Sequence, residues 1–594
     1  MVKQASYGNN WHNLVEMFFD QAELYHNKPF LHQRSTDGWS TVSWGEAAQM
    51  VENIALGLQK IGVRPGDRVI ILSENRYEWG LIDIAIMAIG AVMVPAYITN
   101  TTTDHQHIIE DSGASVAFIS NKNYFKKFLP AALDAQRMHT IVTLEDMELT
   151  QNPGIELFTI NNLCNIGQEQ PNDIRIEAKR IEASTLACLI YTSGTGGAPK
   201  GVMLTHEAIL QNCADITFFF TLVKKLSFFS ILPLSHAFEH IALFAAITYH
   251  TEIYYPNGIE NLLPGLQEAK PGILTAVPRI FEMFKMRIES QMKSASKSKK
   301  IMFQQALNLG LKKVRKEKLS ISEKIQYFFL KFFVQKKIQR SFGNVDLFVS
   351  GGAPLDPYIC EWLMAMGFPI IQGYGQTEAA PIIAANYPTH PKPHTVGPKL
   401  DSIEVKLGEN NELLVRGRNV MKGYWNNRRA TAETIKDGWL HTGDLAEFDD
   451  NGDIIITGRQ KDIIVLSGGD NISPARLESL LTLEDEIGQA VIYGDKKNYL
   501  IAMLVPNEDW LKAWTKNNGK LGKLSDIYSD KELKLALFAA VKRVNNKTPV
   551  VENIRKIIIS PEKFTIENGL LTPTLKVRRH LIIQKYQKMF DETY

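Results

Sequence analysis

Apolar positions along the 594-residue chain follow two rhythms. Short unbroken runs such as Arg68 to Leu72, Val116 to Ile119, Leu186 to Tyr191 and Leu347 to Ser350 lack the alternation of a strand with one wet face, and predict strands buried on both sides. Between them lie stretches with helical spacing, such as Trp79 to Ile89, and an opening segment where Trp11, Leu14, Val15 and Phe18 mark one face of an amphipathic helix. Strands alternating with helices predict an α/β fold with largely parallel sheets, whose functional loops sit at the strand ends.

From Asp401 the texture changes to short strands and tight turns, as in Glu412 to Gly417, Phe448 to Gly452 and Asp453 to Thr457, with Asp450-Asn451-Gly452 as a hairpin signal. A small β subdomain over about 400–458 is predicted. Beyond Arg459 come a strand (Ile463 to Leu466), a glycine loop, a helix from Pro474, two strands (Gln489 to Tyr493 and Leu500 to Pro506) and then helices, the order of a compact α+β unit. The expected division is a large N-terminal domain over 1–458 and a smaller C-terminal domain over 459–594, in keeping with roughly 100–200 residues per packed unit.

Composition adds exclusions. With 45% hydrophobic and 22% charged residues the chain has no signature of disorder. Cys164, Cys188, Cys213 and Cys360 are far apart with no CxxC or CxxH pairing, which argues against a disulfide framework or zinc site and for a reducing, cytoplasmic setting. The start lacks a basic region followed by an apolar run of signal-peptide length. The most apolar stretch, Phe218 to His236, is broken by Lys224 and Lys225, so no membrane span is predicted. The net charge of +2 conceals one asymmetry: Lys285 to Arg340 holds sixteen lysines and arginines against Glu289, Glu317 and Glu323.

The most informative segment for chemistry is Tyr191-Thr-Ser-Gly-Thr-Gly-Gly-Ala-Pro-Lys-Gly201, set between a strand and the strand-like run Val202 to Leu204. Hydroxyls, glycines and a single lysine suit a loop that wraps phosphate oxygens with backbone N–H groups. It is not a Walker loop, because Pro199 precedes Lys200 and Gly201 follows it. Further motifs come in order: Leu232-Pro-Leu-Ser-His-Ala237, Ser350-Gly-Gly-Ala-Pro354, Gly373-Tyr-Gly-Gln-Thr-Glu378, Gly438-Trp-Leu-His-Thr-Gly-Asp444, Gly458-Arg-Gln-Lys-Asp462, Ser467-Gly-Gly-Asp-Asn-Ile-Ser-Pro474 and Gly569-Leu-Leu-Thr-Pro-Thr-Leu-Lys576.

This ordered set closely resembles the adenylate-forming superfamily of acyl-CoA synthetases, luciferases and peptide adenylation domains, over nearly the whole chain. One position departs from it: Gly196 stands where the family loop usually carries a second hydroxyl beside Thr195. The resemblance implies an N-terminal adenylation domain with a mobile C-terminal domain, MgATP and coenzyme A as partners in the reaction, and a carboxylic acid as substrate. It implies that Thr192, Ser193, Gly194, Thr195, Gly197 and Lys200 cradle ATP phosphates, with Gly351, Gly352, Gly373, Tyr374, Gly375, Gln376 and Thr377 around the nucleotide and Tyr374 against adenine. Asp444 would accept hydrogen bonds from both ribose hydroxyls, Arg459 would contact ribose, and Glu378 and Thr192 would contact Mg2+. Lys576 would place an ammonium at the carboxylate and α-phosphate, His236 would lie near the acyl carboxylate, and Lys461 would be the hinge. Rotation there would exchange Lys576 for the Ser467-Gly468-Gly469 loop, which leaves room for a pantetheine arm.

The basic segment bears on which acid. Phe281, Phe284, Ile288 and Met292 keep helical spacing, as do Ile325, Phe328, Phe329, Phe332 and Phe333, so a helical insertion over about 281–342 with apolar stripes and basic faces is predicted. Long-chain fatty acyl-CoA synthetases resemble this in carrying a helical insertion before the Gly-Gly-Ala-Pro motif, which points to a long-chain fatty acid. Two readings of the stripes stand side by side: packing against the domain with solvated lysines, or peripheral contact with the inner face of an anionic membrane. No nucleic-acid recognition motif accompanies the basic run. The alternatives to an acyl-CoA synthetase are an acyl-AMP ligase loading a carrier protein, and a noncatalytic lipid-binding relative; Glu378, Asp444 and Lys576 occurring together argue against the latter.

Overall fold

In a computed structural model of the chain the described residues are 11–147, 154–192, 198–520, 530–572 and 576–594. Among them, two eight-stranded sheets form the large N-terminal part. In the first, Leu186–Thr192, Val92–Ala96, Arg68–Leu72, Val116–Ile119, Thr140–Thr143 and Glu156–Thr159 run parallel in that spatial order, and Lys200–Thr205 and Gly423–Tyr424 close one edge antiparallel. In the second, Ile370–Gly375, Leu347–Ser350, Ile273–Ala276, Ser227–Phe229, Glu252–Tyr255 and Pro29–Ser35 are parallel, with antiparallel strands at both edges. The unbroken apolar runs are thus the central strands of doubly covered sheets.

One core cluster joins residues of both sheets to the helices Tyr77–Ala88 and Ala237–Thr248. Both helices are apolar nearly all round, as fits elements buried on every side. Their one ionisable link is His240 Nε2 to Asp83 Oδ2 at 2.7 Å, where burial holds the Asp83 carboxyl above its ordinary value. The opening helix is Leu14–Leu24, capped by Asn13, whose side chain accepts from the N–H groups of Val15 and Glu16.

The predicted β subdomain is a five-stranded sheet between Glu404 and Arg459. Its strands Trp439–Phe448 and Ile454–Arg459 pair antiparallel across the Asp450-Asn451-Gly452 turn. From Ile464 onward the chain builds apolar clusters of its own around Ile487–Tyr493, Leu500–Pro506 and Ile554–Ile559. That last strand corrects the expectation of helices alone: it lies parallel to Leu500–Pro506 and completes a three-stranded sheet.

The basic segment folds as helices Pro278–Lys293, Lys297–Val314 and Ile321–Leu330, a π-helical turn Lys331–Gln335 and the helix Lys336–Ser341. Its two apolar stripes differ. Phe281, Phe284 and Ile288 are buried in the core beneath the second sheet, whereas Ile325, Phe328, Phe329, Phe332 and Phe333 face solvent. No helix among the described residues is long and apolar enough to cross a membrane.

Candidate active site

The strand ends converge on a cleft of about 1860 Å3 between the sheets, the β subdomain and the C-terminal unit. Thr192 reaches it as the last residue of its strand, Gly351 and Gly352 follow the strand Leu347–Ser350, and Gly373 to Gly375 end the strand Ile370–Gly375. Gln376, Thr377 and Glu378 come next along its wall. Glycine is required at two of these points: Gly352 has φ +78°, and a Cβ on Gly375 would lie 1.8 Å from the Pro381 carbonyl oxygen.

A bulge between Leu445 and Ala446 shifts the hairpin's register by one residue and so places Asp444 directly opposite Arg459. Arg459 Nε lies 3.1 Å from Asp444 Oδ1, and the Tyr374 hydroxyl donates to Asp444 Oδ2 at 2.7 Å. Burial pushes the Asp444 carboxyl up and the Tyr374 phenol well up, while the Arg459 cation and the phenol hydrogen bond pull Asp444 back down. Lys576, from the far end of the chain, enters the same cleft. Its side chain stays open to the cleft, yet its ammonium is crowded enough that burial, then Arg459, lower its pKa below the usual lysine value, and Asp444 opposes them.

His236 caps the helix Ala237–Thr248, its Nδ1 accepting the Phe238 N–H at 3.2 Å. Burial, then the nearby Lys576 charge, push its pKa down to about 4, so the ring is neutral near pH 7. With Nδ1 accepting, the proton sits on Nε2, which makes that nitrogen a donor.

Glu378 is held by Tyr424, whose hydroxyl donates to Glu378 Oε1 at 2.8 Å. Burial, then the Glu378 charge, raise the Tyr424 phenol. Lys200 opens the strand Lys200–Thr205, paired with Thr192, and its Nζ sits 4.8 Å from the centroid of the Tyr424 ring. Tyr424 therefore links the lysine of the phosphate loop to the predicted metal-contacting carboxylate. Ser193, Gly194, Thr195 and Gly197, together with Gly196, lie outside the described residues. No group of three or more His, Cys, Asp or Glu able to hold a metal occurs among the described residues.

The sequence profile of AMP-binding enzymes matches residues 18–425, and that of the AMP-binding enzyme C-terminal domain matches residues 461–594. The chain belongs to the AMP-binding enzyme family. A long-chain fatty acid–CoA ligase of Mycobacterium bovis is 33% identical over 95% of this chain and 94% of its own. Long chain acyl-CoA synthetase 4 of Arabidopsis thaliana is 27% identical over 98% of this chain and 91% of its own. Among solved structures, the adenylation domain of a carboxylate reductase from Mycobacterium chelonae superposes with a TM-score of 0.78 at 20% identity, covering 99% of this chain and 92% of that one. The adenylate-forming resemblance and the α/β architecture with a smaller C-terminal domain are borne out.

In this AMP-binding enzyme the structure does not bring every predicted residue to the cleft. Lys461 lines it, but the Ser467-Gly468-Gly469 loop is the tip of the hairpin Ile464–Val465/Asn471–Ile472 and is absent from its walls. There the Ser467 hydroxyl donates to Asn498 Oδ1 at 2.6 Å, and Gly469 has φ +91°. Three features escaped sequence reading. Tyr424 sits in Lys422-Gly-Tyr-Trp425, which lies in none of the motifs. Arg579 clamps Glu478 along the C-terminal wall, with its two Nη atoms 2.5 and 2.8 Å from the carboxylate oxygens. Finally, the cleft extends into an apolar arm between the helix Ala237–Thr248 (Ile241, Ala242, Ala245) and the strands that carry Ile273 and Val349.

Proposed function

We propose that this AMP-binding enzyme uses MgATP to convert a long-chain fatty acid to acyl-AMP and then passes the acyl group to coenzyme A, giving fatty acyl-CoA, AMP and pyrophosphate. The observation that carries the reading is the meeting of Lys576 with Asp444 and Arg459 in a cleft that continues into an apolar arm. A carboxylate and a triphosphate repel each other, so their reaction needs fixed cations at the point of contact and an apolar seat for the rest of the acid. Burial of the acyl chain contributes about 0.8 kcal/mol per methylene. The names of the full-length relatives support the long-chain assignment.

In this mechanism the acid carboxylate attacks the α-phosphorus in line while pyrophosphate leaves. Lys576 steadies the charge on the carboxylate and α-phosphate oxygens. Asp444, which lines the cleft, accepts from the ribose hydroxyls, Arg459 holds that carboxylate and contacts ribose, and Tyr374 flanks the base with Gln376 and Thr377 beside it. The loop from Thr192 to Lys200 and glycines 351, 352, 373 and 375 give phosphates and base close access to backbone. His236 donates from Nε2 toward the acyl carboxylate.

Thr192 and Glu378 supply hydroxyl and carboxylate oxygens, a donor set that fits Mg2+ held otherwise by phosphate oxygens and water. When bound, the ion offsets phosphate charge. Residues 1–458 form the substrate-binding domain and 459–594 the part that moves about Lys461, exchanging Lys576 for the Ser467–Gly469 loop when coenzyme A enters. The enzyme works in the cytoplasm, and the basic helical segment gives it peripheral contact with the inner face of a membrane.

The test follows AMP, pyrophosphate and coenzyme A over fatty acids of increasing length. Expected is AMP release that requires coenzyme A and rises with chain length into the long-chain range. Pyrophosphate release with no coenzyme A consumed would replace the reading with an acyl-AMP ligase that loads a carrier protein.

A further inference from the structure

The helix Ile321–Leu330 and the π turn Lys331–Gln335 carry one side that holds and one that is left over. On the holding side Leu330 is buried against Ala306 and Leu309, the buried Gln335 amide donates to the Ala365 carbonyl at 2.7 Å, and Gln339 donates to the Gly367 carbonyl. A capping box of Ser320 and Glu323 starts the helix, and Glu323 is further tied to Lys312 at 2.7 Å. The element is therefore fixed in place. Its other side presents Ile321, Ile325, Phe328, Phe329, Phe332 and Phe333, each more than half exposed, with Phe328 at 70% and Ile321 at 79%.

Six large apolar side chains on thirteen consecutive residues form a contiguous patch rather than the scattered exposure normal for a surface. The four-residue spacing of Phe328 with Phe332 and of Phe329 with Phe333 keeps these rings on one side of the helix and the π turn that continues it. Lys324, Lys331, Lys336 and Lys337 border the patch, are exposed, and form no ion pair among the described residues. From Lys312 to Arg340 ten lysines and arginines face only Glu317 and Glu323.

We infer that this aromatic face is a monotopic membrane-docking surface, lying in the plane of an anionic bilayer with the phenylalanines at the acyl boundary and the lysines at the lipid phosphates. The inference rests on the fatty-acid reading for its purpose and names the element and the groups that make the contact. Charge complementarity selects the occupant. A second copy docking the same face by two-fold symmetry would set one lysine border against another, whereas an anionic leaflet neutralises it. The segment is too short and too charged to span, and an apolar face flanked by cations is the pattern of a helix that rests in the interface. A substrate that partitions into bilayers then meets the enzyme where it dissolves.

The experiment uses the full-length protein without ATP, acid or coenzyme A, so that its outcome is independent of the ligase reading. Cosedimentation is measured with phosphatidylcholine vesicles and with vesicles containing one-third phosphatidylglycerol. Expected is at least a tenfold preference for the anionic vesicles. Phe328→Ser combined with Phe332→Ser should lower that binding at least tenfold, and Lys336→Gln with Lys337→Gln should lower it severalfold and flatten its salt dependence. Melting temperature and turnover of octanoate should be unchanged in both. As a control on folding, the tryptophan fluorescence of the Phe328→Trp variant should be quenched by brominated lipid more strongly than that of the unsubstituted protein. Vesicle binding that is absent, or equal in the phenylalanine pair, overturns the inference, as does a Phe328→Trp variant quenched no more than the unsubstituted protein. A change confined to oligomeric state overturns it in favour of a second copy.

Discussion

Two pieces of the C-terminal unit were expected to serve the same cleft, and only one of them is there. Lys576 lines the cleft close enough for its charge to act on Asp444 and His236, while the hairpin tip Ser467–Gly469 is tied instead to Asn498 and the Lys497 carbonyl. The two segments belong to one unit, so bringing the tip in requires the lysine to leave. On the proposed reading, this arrangement suits a first half-reaction, which needs a cation at the phosphate, and the second would be reached by moving the unit as a body.

The most severe break of that comparison is Lys576→Ala. It should lower pyrophosphate release at least about a hundredfold, the scale of losing one fixed charge-stabilising donor, while thioester formation from presupplied acyl-AMP stays near normal. Equal loss in both would mean that the two segments do not divide the reaction. Next is Lys461→Pro. Lys461 donates no backbone hydrogen bond to another carbonyl among the described residues and is not at positive φ, so proline removes no bond and stiffens the hinge. Thioester formation should fall about tenfold or more with pyrophosphate release kept, as in a gated step; a uniform fall would place the hinge elsewhere.

Smaller effects sharpen the electrostatics. Tyr424→Phe removes the hydrogen bond to Glu378 and should raise KM for MgATP severalfold, about 1 kcal/mol for one hydrogen bond; no change would leave Tyr424 a packing residue. The pH profile gives a signed test. Lys576 must be protonated to act, and burial and Arg459 lower its pKa, so activity is full below that value and lost as pH rises through it, at a pH below the usual lysine value of 10.5. Asp444 raises the Lys576 pKa, so Asp444→Asn should move the alkaline limb of kcat/KM lower still, and Arg459→Met should move it up. Shifts of the opposite sign would sever Lys576 from this pair.

Local signals explain what sequence reading reached. Asp444 and Arg459 were within its range through their motifs, although their pairing was not, because a bulge between Leu445 and Ala446 shifts the register that the turn alone would give. Tyr424 was not, since a tyrosine after glycine reads as core, and its partner Glu378 comes from a strand end of another sheet. The strand Ile554–Ile559 was hidden for a similar reason: Arg555 and Lys556 interrupt its pattern, and only docking beside Leu500–Pro506 makes it a strand. Periodicity gave both apolar stripes of the basic segment equal standing. It cannot tell that the second sheet covers Phe281 and Phe284 while nothing among the described residues covers Phe328 and Phe332.

The smallest expected effect concerns His236, where the structure separates two duties of one ring. Nδ1 caps a helix, and Nε2 has no hydrogen-bond partner among the described residues. Asparagine can reproduce the first, because its carbonyl oxygen is a good acceptor at an N-cap, but it does not reach as far as Nε2. Glutamine can reproduce the second through its amide nitrogen. His236→Asn should therefore keep the melting temperature and raise KM for the fatty acid a few-fold, and His236→Gln should restore KM in part. Because the ring titrates near pH 4, the wild type should show no histidine limb between about pH 6 and 8. If Asn and Gln behave alike and only stability changes, His236 is a helix cap and the acyl carboxylate relies on Lys576 alone.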